Sequence, residues 1–287
     1  MKLVNFMLEG KVRLGIKTDQ GIINVKTVAA PYSGDVPITI EEVIARGEQG
    51  IRQLEGLMKE GVEAITEDKI VYAPCITNPE KILCVGLNYR EHARETKAEI
   101  PEWPILFSKF NNALAAHKQV ISLPKTAEKF DYEAELVIVI GKEASNVSKE
   151  DAPSYVFGYT CGNDLSARDL QLRSGQWLLG KTCDGFAPVG PYIVTADEID
   201  PNNLEICCEV NGSIRQSSNT GDMIFDCATI VSYASQYMTL KPGDLIFTGT
   251  PSGVILGYPK DKRQWLKPGD EVRVTIEKIG TLINTMG

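Results

Sequence analysis

The sequence predicts a mainly β protein (α+β) with a few peripheral helices. Short runs rich in β-branched residues recur along most of the chain, and Gly, Pro, Asn or Asp residues bound them. Helical periodicity is confined to a few segments. The 287 residues are 43% hydrophobic and 24% charged, which is ordinary for a globular protein and enough for one large domain with a small companion.

Strands are predicted in both the first and the later parts of the chain. Within the first 28 residues, 11–16 and 21–25 show strand-like alternation. The segment 133–140 carries a β-branched run that is typical of a buried strand. Beyond residue 80 we predict strands over 82–86, 105–108, 133–140, 155–161, 191–194, 205–210, 245–248 and 271–276.

Helices are predicted at four places. The longest covers 39–60, where apolar residues recur at helical spacing, a capping box begins at Thr39, and Gly61 stands at the expected C-cap. Gly47 and Gly50 weaken the middle of this helix. The others are 89–96, a segment that opens near Ser166, and 227–238 with Asp226 as its N-cap.

Two prolines within residues 73–80 mark a predicted domain boundary. A small N-terminal α+β domain would cover 1–72, and the main domain 73–287. Leu-Lys-Pro-Gly-Asp occurs at 240–244 and again at 266–270, each time before a predicted strand. Because Pro followed by Gly is typical of a type II turn, we interpret the repeat as two similar turns.

Charge and composition exclude several classes of protein. The net charge is −8 and no dense Lys/Arg run occurs, so nucleic acid is not an expected partner. The longest purely apolar run, 136–140, is far shorter than a membrane span. The N-terminus loses its apolar character too early for a signal peptide, which predicts a cytoplasmic location. Seven cysteines without C-x-x-C spacing favour small buried side chains over disulfides or a zinc knuckle.

Two glutamates in the predicted strand 133–140 point to a cation site. Side chains alternate along a strand, so Glu133 and Glu135 share one face, with Cα atoms about 6.7 Å apart. Two bare carboxylates at that distance repel by roughly 2–3 kcal/mol at an effective dielectric of about 20. Either one of them is protonated or a cation lies between them. The alternative is a solvated sheet edge with ordinary glutamates.

A third carboxylate, Asp164, stands where an apolar strand runs into a turn that opens a helix. Taken alone, it could simply cap that helix, as Ser166 could. With Glu133 and Glu135 it makes a set of three hard oxygen ligands. Because the chain has only two histidines, this set favours Mg²⁺ or Mn²⁺ over zinc, with Ca²⁺ as a substitute in a crystal. Three protein oxygens leave positions open for water and a chelating substrate.

One of the two histidines has a carboxylate one helical turn away. His92 and Glu95 are spaced i and i+3 on the predicted helix 89–96, and a carboxylate that orients an imidazole makes a general base. The alternative is an ordinary surface pair. The glycine-rich segment 248–254 could present N–H groups to an oxyanion, but it lacks the lysine and spacing of a P-loop, so nucleotide binding is not expected. Groups that could hold an anionic substrate follow at Lys109, Lys181, and Arg168 with Gln171 one turn later.

Several short stretches of the chain, taken together and in their order, form a recognisable pattern. They are Gly86-Leu87-Asn88-Tyr89 with His92-Ala93 and Glu95, Asp131-Tyr132-Glu133-Ala134-Glu135-Leu136, Gly158-Tyr159 with Asn163-Asp164 and Ala167-Arg168-Asp169, Lys181, and Thr248-Gly249-Thr250-Pro251. Together they resemble the fumarylacetoacetate hydrolase family over roughly residues 80–287. The resemblance implies a mixed β-roll or β-sandwich catalytic domain and a homodimer.

The resemblance also implies roles for individual residues. The Mg²⁺ or Mn²⁺ ligands would be Glu133, Glu135 and Asp164, the lid histidine and its glutamate His92 and Glu95, the active-site lysine Lys181, and the substrate-side groups Arg168, Gln171 and Thr250. The full fumarylacetoacetate hydrolases carry an extra upstream aspartate ligand that has no counterpart here. The smaller, three-carboxylate subgroup therefore fits better.

That subgroup is chemically mixed. Its shared step is chelation of a 2-oxo acid by the metal, which stabilises an enolate. We expect a metal-dependent hydrolase that cleaves a C–C bond in acylpyruvate- or fumarylpyruvate-like 2-oxo acids, with His92 activating water. The alternatives are an oxaloacetate or 2-oxo diacid decarboxylase and a 2-hydroxyhepta-2,4-diene-1,7-dioate isomerase. Intact His92, Glu95 and Lys181 count against a catalytically silent metal-binding scaffold.

Overall fold

Strands dominate the computed structural model, which describes residues 1–32, 35–58 and 62–287. The strands are β1 (Lys2–Leu8), β2 (Lys11–Thr18), β3 (Gly21–Asn24), β4 (Val71–Tyr72), β5 (Ile82–Gly86), β6 (Ile105–Lys109), β7 (Leu114–Ala115), β8 (Val120–Ile121), β9 (Phe130–Asp131), β10 (Ala134–Ile140), β11 (Val156–Asn163), β12 (Ser166–Ala167), β13 (Ala187–Thr195), β14 (Glu205–Val210), β15 (Ser213–Asn219), β16 (Leu245–Phe247), β17 (Glu271–Ile276) and β18 (Gly280–Met286). The helices are α1 (Val25–Ala29), α2 (Ile40–Arg46), α3 (Glu48–Glu55), α4 (Arg90–Glu95), α5 (Arg168–Gln171), α6 (Leu178–Lys181) and α7 (Cys227–Tyr237). The predicted mainly β class with peripheral helices is confirmed.

Most of the strands join one large mixed sheet. Its order is β3-β2-β1-β13-β11-β10-β16-β5-β6, with β4 and β7 paired to β1 and β13. β10 pairs antiparallel with β11 and β16, whereas β16 pairs parallel with β5. A second sheet has the order β15-β14-β17-β18-β8, and β9 pairs with β12. The strands β15 and β18 were not predicted, because polar residues break up the apolar pattern of their sequences.

Strand β10 lies between two apolar cores. Its even-numbered side chains from Ala134 to Ile140 pack with α7 and the second sheet, whereas Val137 and Val139 pack with α2 and α3. Every residue of the strand is buried. Because both faces are covered, the strand has a continuous apolar run rather than an alternating pattern. The carboxylates at its start are therefore held by a rigid, dehydrated element.

The predicted single helix over 39–60 is wrong, because the chain forms two helices that meet at Gly47. Thr39 caps α2 as predicted, by accepting a hydrogen bond from the Glu42 N–H at 3.2 Å. Gly47 has a φ of 54°, which ends α2, and α3 begins at the next residue. The expected C-cap, Gly61, lies outside the described residues.

The N-terminal strands extend the large sheet. β1 pairs antiparallel with β13, so that Leu3 lies opposite Ile193, and β2 and β3 continue outward from β1. The side chain of Asn5 donates to the carbonyl oxygens of Pro74 and Cys75, across the predicted boundary. One sheet thus spans both parts of the chain, and the division at residue 72 stays a prediction.

Both Leu-Lys-Pro-Gly-Asp segments form the same kind of turn. Gly243 and Gly269, at the third position of each turn, have φ values of 87° and 92°, as a type II turn requires. In each turn the aspartate, Asp244 or Asp270, accepts the backbone N–H three residues earlier. The repeat is a structural one, as predicted.

His117 lies where the N-terminal strands meet the second sheet. Its Nδ1 accepts the Ile283 N–H at 3.0 Å, and its ring packs edge-on against Tyr72 with centroids 4.5 Å apart. Burial and the charge of Lys118 lower the pKa of His117 to about 4, although Glu67 opposes them. The imidazole therefore stays neutral in the folded protein at pH values where the unfolded chain takes up a proton.

We expect His117 to cost stability as the pH falls from about 6.5 towards 4. Above pH 6.5 neither state binds the proton; below it only the unfolded state does, so the free energy of unfolding drops by roughly 2 kcal/mol at pH 5. Denaturant unfolding at pH 7 and pH 5 checks this. His117→Gln should lose that much less stability over the interval, and equal losses in both proteins would contradict the prediction.

Candidate metal centre and active site

Three carboxylates converge at the start of β10. Glu133 precedes the strand, Glu135 lies within it, and Asp164 follows the neighbouring β11. Antiparallel pairing places Ala134 opposite Asn163, and the Asp164 N–H donates to the Glu133 carbonyl at 2.9 Å. One oxygen from each carboxylate lies within 4.8 Å of the other two, and all three residues are buried. The expected triad is thus assembled by the register of two strands.

Three buried cations surround this triad. Lys181 Nζ lies 2.5 Å from Glu133 Oε2 and 2.7 Å from Asp164 Oδ2. Lys109 Nζ lies 2.6 Å from Asp164 Oδ1. Arg168 Nη2 donates to Glu133 Oε1 at 2.6 Å. Two of the three carboxylates are therefore held in place by direct ion pairs.

Glu135 differs from the other two carboxylates. It accepts the Gly249 N–H at 2.7 Å and has no ion-pair partner among the residues that the structure describes. Burial, with the negative charges of Asp164 and Glu133, raises the pKa of Glu135 well above its ordinary value, although Lys181 opposes them. Burial alone would also raise the pKa of Glu133, but the two cations beside it hold that pKa well below its ordinary value.

This donor set fits a hard divalent cation. Carboxylate oxygens suit Mg²⁺ or Mn²⁺ better than zinc. When all are ionised, four buried acids face three buried cations and leave one net negative charge; the acids are Asp131, Glu133, Glu135 and Asp164, and the cations Lys109, Arg168 and Lys181. A divalent cation would offset this charge and give Glu135 a positive partner. The identity of the ion stays a prediction.

Arg168 links the triad to a second buried acid. Its Nε donates to Asp131 Oδ2 at 2.9 Å, and its Nη1 donates to Gln171 Oε1 at 2.9 Å. Asp131 also accepts two backbone N–H groups from the turn at 255–257. Asp131 has no role among the residues predicted from the sequence, although its position two residues before Glu133 places it on the same face of an extended chain.

We expect Asp131→Asn to lower the free energy of unfolding by about 3–5 kcal/mol. The substitution removes one of the two ion pairs of the buried Arg168, leaving only the pair with Glu133, and brings an amide N–H₂ against backbone donors. Denaturant unfolding measures the loss. Asp19→Asn, in the exposed β2–β3 turn, serves as the control and should change it by less than about 0.5 kcal/mol. A loss below about 1 kcal/mol at position 131 would contradict this role.

His92 and Glu95 form the predicted pair on α4. His92 Nδ1 and Glu95 Oε1 are 2.8 Å apart, and Glu95 also accepts the Gly253 N–H at 3.0 Å. With the Nδ1–H donated to this carboxylate, His92 Nε2 is left to accept a proton. Just before α4, the Asn88 amide donates to the Thr248 carbonyl at 2.7 Å, which anchors the start of the helix.

Two backbone N–H groups of the glycine-rich segment 248–254 donate to carboxylates of the site itself, Glu135 and Glu95. The sequence predicted that such N–H groups could instead contact an oxyanion. Gly249 has a φ of 98°, and a Cβ there would lie 2.7 Å from the Cβ of Asn88, so only glycine fits. The Thr250 hydroxyl donates to the Ala134 carbonyl at 2.9 Å. Because the hydroxyl proton of Thr250 is used in this hydrogen bond, it is not free for a substrate, and the substrate-binding role of Thr250 stays a prediction.

Most of these groups line one cavity of about 180 Å³. This volume is below the roughly 300–1,000 Å³ of sites for drug-sized ligands, so a small substrate fits best. Lys109 does not line the cavity; its ammonium donates to the Leu165 and Phe186 carbonyls behind Asp164. The predicted site residues that do line it are His92, Glu133, Glu135, Asp164, Arg168, Gln171, Lys181 and Thr250, together with the aromatic side chains Phe107 and Trp177.

A mixed β fold that holds a carboxylate triad, a histidine and buried cations around one small cavity has the composition of an enzyme active site. The chain belongs to the fumarylacetoacetate hydrolase family, because residues 81–287 match the family described as fumarylacetoacetate (FAA) hydrolase C-terminal. It is 39% identical over 290 residues to "Oxaloacetate tautomerase Fahd2a, mitochondrial" of Rattus norvegicus, which covers 99% of this chain and 91% of that one. It is 53% identical over 220 residues to "Fumarylacetoacetate hydrolase domain-containing protein 2 homolog" of Dictyostelium discoideum, covering 72% of each chain.

Solved structures give the same family. Fumarylacetoacetate hydrolase from Exiguobacterium antarcticum superposes with a TM-score of 0.83 at 33% identity, over 100% of this chain and 99% of that one. The 2-hydroxyhepta-2,4-diene-1,7-dioate isomerase from Mycobacterium marinum superposes with a TM-score of 0.76 at 34% identity, over 100% and 98%. The predicted family and fold are therefore confirmed.

The sequence also predicts that the chain has no membrane span, a cytoplasmic location and a homodimeric state. Within the described ranges no helix has both the length and the apolar character that a membrane crossing needs. The cytoplasmic location stays a prediction, since several relatives carry "mitochondrial" in their names. The homodimer also stays a prediction.

Proposed function

We propose that this protein is a metal-dependent tautomerase of a small 2-oxo diacid such as oxaloacetate. The observation that carries the proposal is the shared cavity: His92, oriented by Glu95, lines the same 180 Å³ space as the three carboxylates. A proton-transfer group and a candidate metal site thus face one substrate volume. Relatives named oxaloacetate tautomerase, at 38–40% identity over 99% of the chain, support this choice.

Each group has a distinct task in this proposal. Mg²⁺ or Mn²⁺ held by Glu133, Glu135 and Asp164 would supply Lewis acidity towards the 2-oxo carboxylate. His92 would take a proton from the carbon beside the 2-oxo group through Nε2 and return it to the oxygen, which converts the keto form to the enol without any other reactant.

The basic side chains would bind the substrate or hold the triad in place. Arg168 has N–H groups left over from its bonds to Asp131, Glu133 and Gln171, and these suit a carboxylate of the substrate. Lys181 is buried beside the triad and keeps two of its carboxylates in place. Lys109 would be a positioning residue for Asp164 rather than a substrate ligand.

The predicted C–C bond hydrolase is kept as a second candidate, because the His92–Glu95 pair could equally activate water. Three assays with Mg²⁺ or Mn²⁺ separate the possibilities. We expect accelerated interconversion of the enol and keto forms of oxaloacetate, followed by the ultraviolet absorbance of the enol. Acetylpyruvate loss with acetate formed would favour the hydrolase, and pyruvate with CO₂ from oxaloacetate the decarboxylase. No acceleration of the enol–keto interconversion would overturn the proposal.

A further inference from the structure

A cationic groove adjoins the active-site cavity. Thr96 and Leu256 line both the cavity and this groove, so the two lie side by side. Three cationic residues, Lys97, Lys260 and Arg263, line the groove. We propose that this groove, here called the cationic groove, attracts 2-oxo acids that carry two negative charges and favours them over singly charged acids of the same length. The proposal rests on the proposed function and names its substrate class.

The charges of the groove are available to a ligand. Within residues 1–32, 35–58 and 62–287, none of Lys97, Lys260 and Arg263 has a carboxylate oxygen within 4 Å. Glu95 also lines the groove, and its single negative charge leaves the three positive charges in excess. The groove is therefore locally positive.

This local charge matters because the chain as a whole is acidic. A net charge of −8 and a buried carboxylate triad both repel a dianion. At 0.1 M salt the screening length is about 10 Å, so distant surface charges are largely screened and the cations of the groove dominate the potential beside the cavity. A second carboxylate on the substrate doubles its attraction to them.

The guanidinium of Arg263 and the backbone of Lys97 are held in defined places. Arg263 Nε donates to the Tyr258 carbonyl at 2.9 Å, and its guanidinium lies 6.0 Å from the ring centre of Trp265. Lys97 follows α4 in the left-handed region, with a φ of 58°, and its N–H donates to the Arg94 carbonyl at 3.1 Å. Glycine is the preferred residue at this position after a helix, so the lysine is present despite a conformational cost.

The test compares two five-carbon ligands that differ only by one carboxylate. Binding of 2-oxoglutarate and of 2-oxopentanoate is measured by calorimetry with Mg²⁺ present, at low salt and at 0.5 M salt. We expect the protein to bind 2-oxoglutarate more tightly. Lys260→Gln combined with Arg263→Gln should weaken 2-oxoglutarate binding roughly three- to tenfold at low salt, and 2-oxopentanoate binding less than about twofold. At 0.5 M salt the loss should fall below about twofold.

Lys97→Gly gives an independent variant with a matched control. It should raise Tm by roughly 2 °C because glycine relieves the left-handed backbone, and yet weaken 2-oxoglutarate binding. Lys278 has a φ of 62° in the β17–β18 turn and lines neither the cavity nor the groove. Lys278→Gly should raise Tm similarly and leave both affinities unchanged.

Three results would overturn the inference: no binding of 2-oxoglutarate, equal affinities for the two ligands, or variants that weaken both ligands equally. Selective binding of 2-oxoglutarate without any tautomerase activity would overturn the proposed function and leave the selectivity of the groove intact. The two failures are therefore distinguishable.

Discussion

Replacing Glu135 with Gln is expected to lower the affinity for Mg²⁺ or Mn²⁺ by at least about 100-fold. Loss of a residue that holds a metal ligand in place typically lowers metal affinity or activity 10–100-fold. Loss of a ligand itself should lower the metal affinity at least as much. Activity at limiting metal should fall with the affinity. The effect is large because Glu135 has no ion-pair partner among the described residues, so a metal would be its main source of opposite charge.

The same substitution should leave the metal-free fold nearly intact. Burial, Asp164 and Glu133 raise the pKa of Glu135, so without metal the carboxyl group tends to hold a proton, and a neutral amide resembles that form. The amide oxygen of the substituted side chain can still accept the Gly249 N–H. Thermal unfolding with and without metal therefore separates binding from folding, since a ligand that binds only the folded state raises Tm.

Glu143→Gln is the control for the metal prediction. Glu143 is exposed and pairs with Lys241, and neither residue lines the cavity, so its loss should leave the Tm response to metal unchanged. Wild-type activity of the Glu135→Gln protein at limiting metal would contradict the assignment of the triad as a metal site. Full activity of the parent in EDTA would count against it as well.

Replacing His92 with Ala should lower the rate of tautomerisation by roughly 10²–10⁴-fold, the usual contribution of a positioned acid–base group. Hydrolysis of an acylpyruvate, if present, should fall by a similar factor because water loses its base. Decarboxylation of oxaloacetate should suffer much less, since it needs no water to be activated. Rates of the three reactions in this one variant therefore report what His92 does.

His117→Gln is the matched control, because it removes the only other histidine and that residue does not line the cavity. Its kcat should equal that of the parent at pH 7. Equal losses in all three reactions of His92→Ala would make His92 a positioning residue, and unchanged rates would remove it from the mechanism. Glu95→Gln should give a smaller loss, because it keeps the imidazole but loosens its orientation.

Local features of this protein could be predicted from the sequence. The strand β10 was evident from its β-branched run, and the alternation of side chains placed Glu133 and Glu135 together. The i, i+3 spacing of His92 and Glu95 predicted their hydrogen bond. Each of these depends only on the repeat of one strand or one helix, which residue spacing encodes directly.

Features that depend on backbone conformation were harder to predict. The helix over 39–60 breaks at Gly47, whose positive φ is a property of the folded chain that its neighbours' apolar spacing does not reveal. Gly249 and Gly253 are similar, because their N–H groups meet the carboxylates of Glu135 and Glu95 only once distant strands have come together.

By itself, the sequence determined the mainly β class, the carboxylates of the triad and the histidine–glutamate pair. Only the tertiary structure decided which cation pairs with which acid. Lys109 pairs with Asp164, Lys181 with both Glu133 and Asp164, and Arg168 with Asp131. The reason is physical. Those contacts join elements far apart in the chain, and their partners are set by strand register and by the need to neutralise buried charge, neither of which local spacing records.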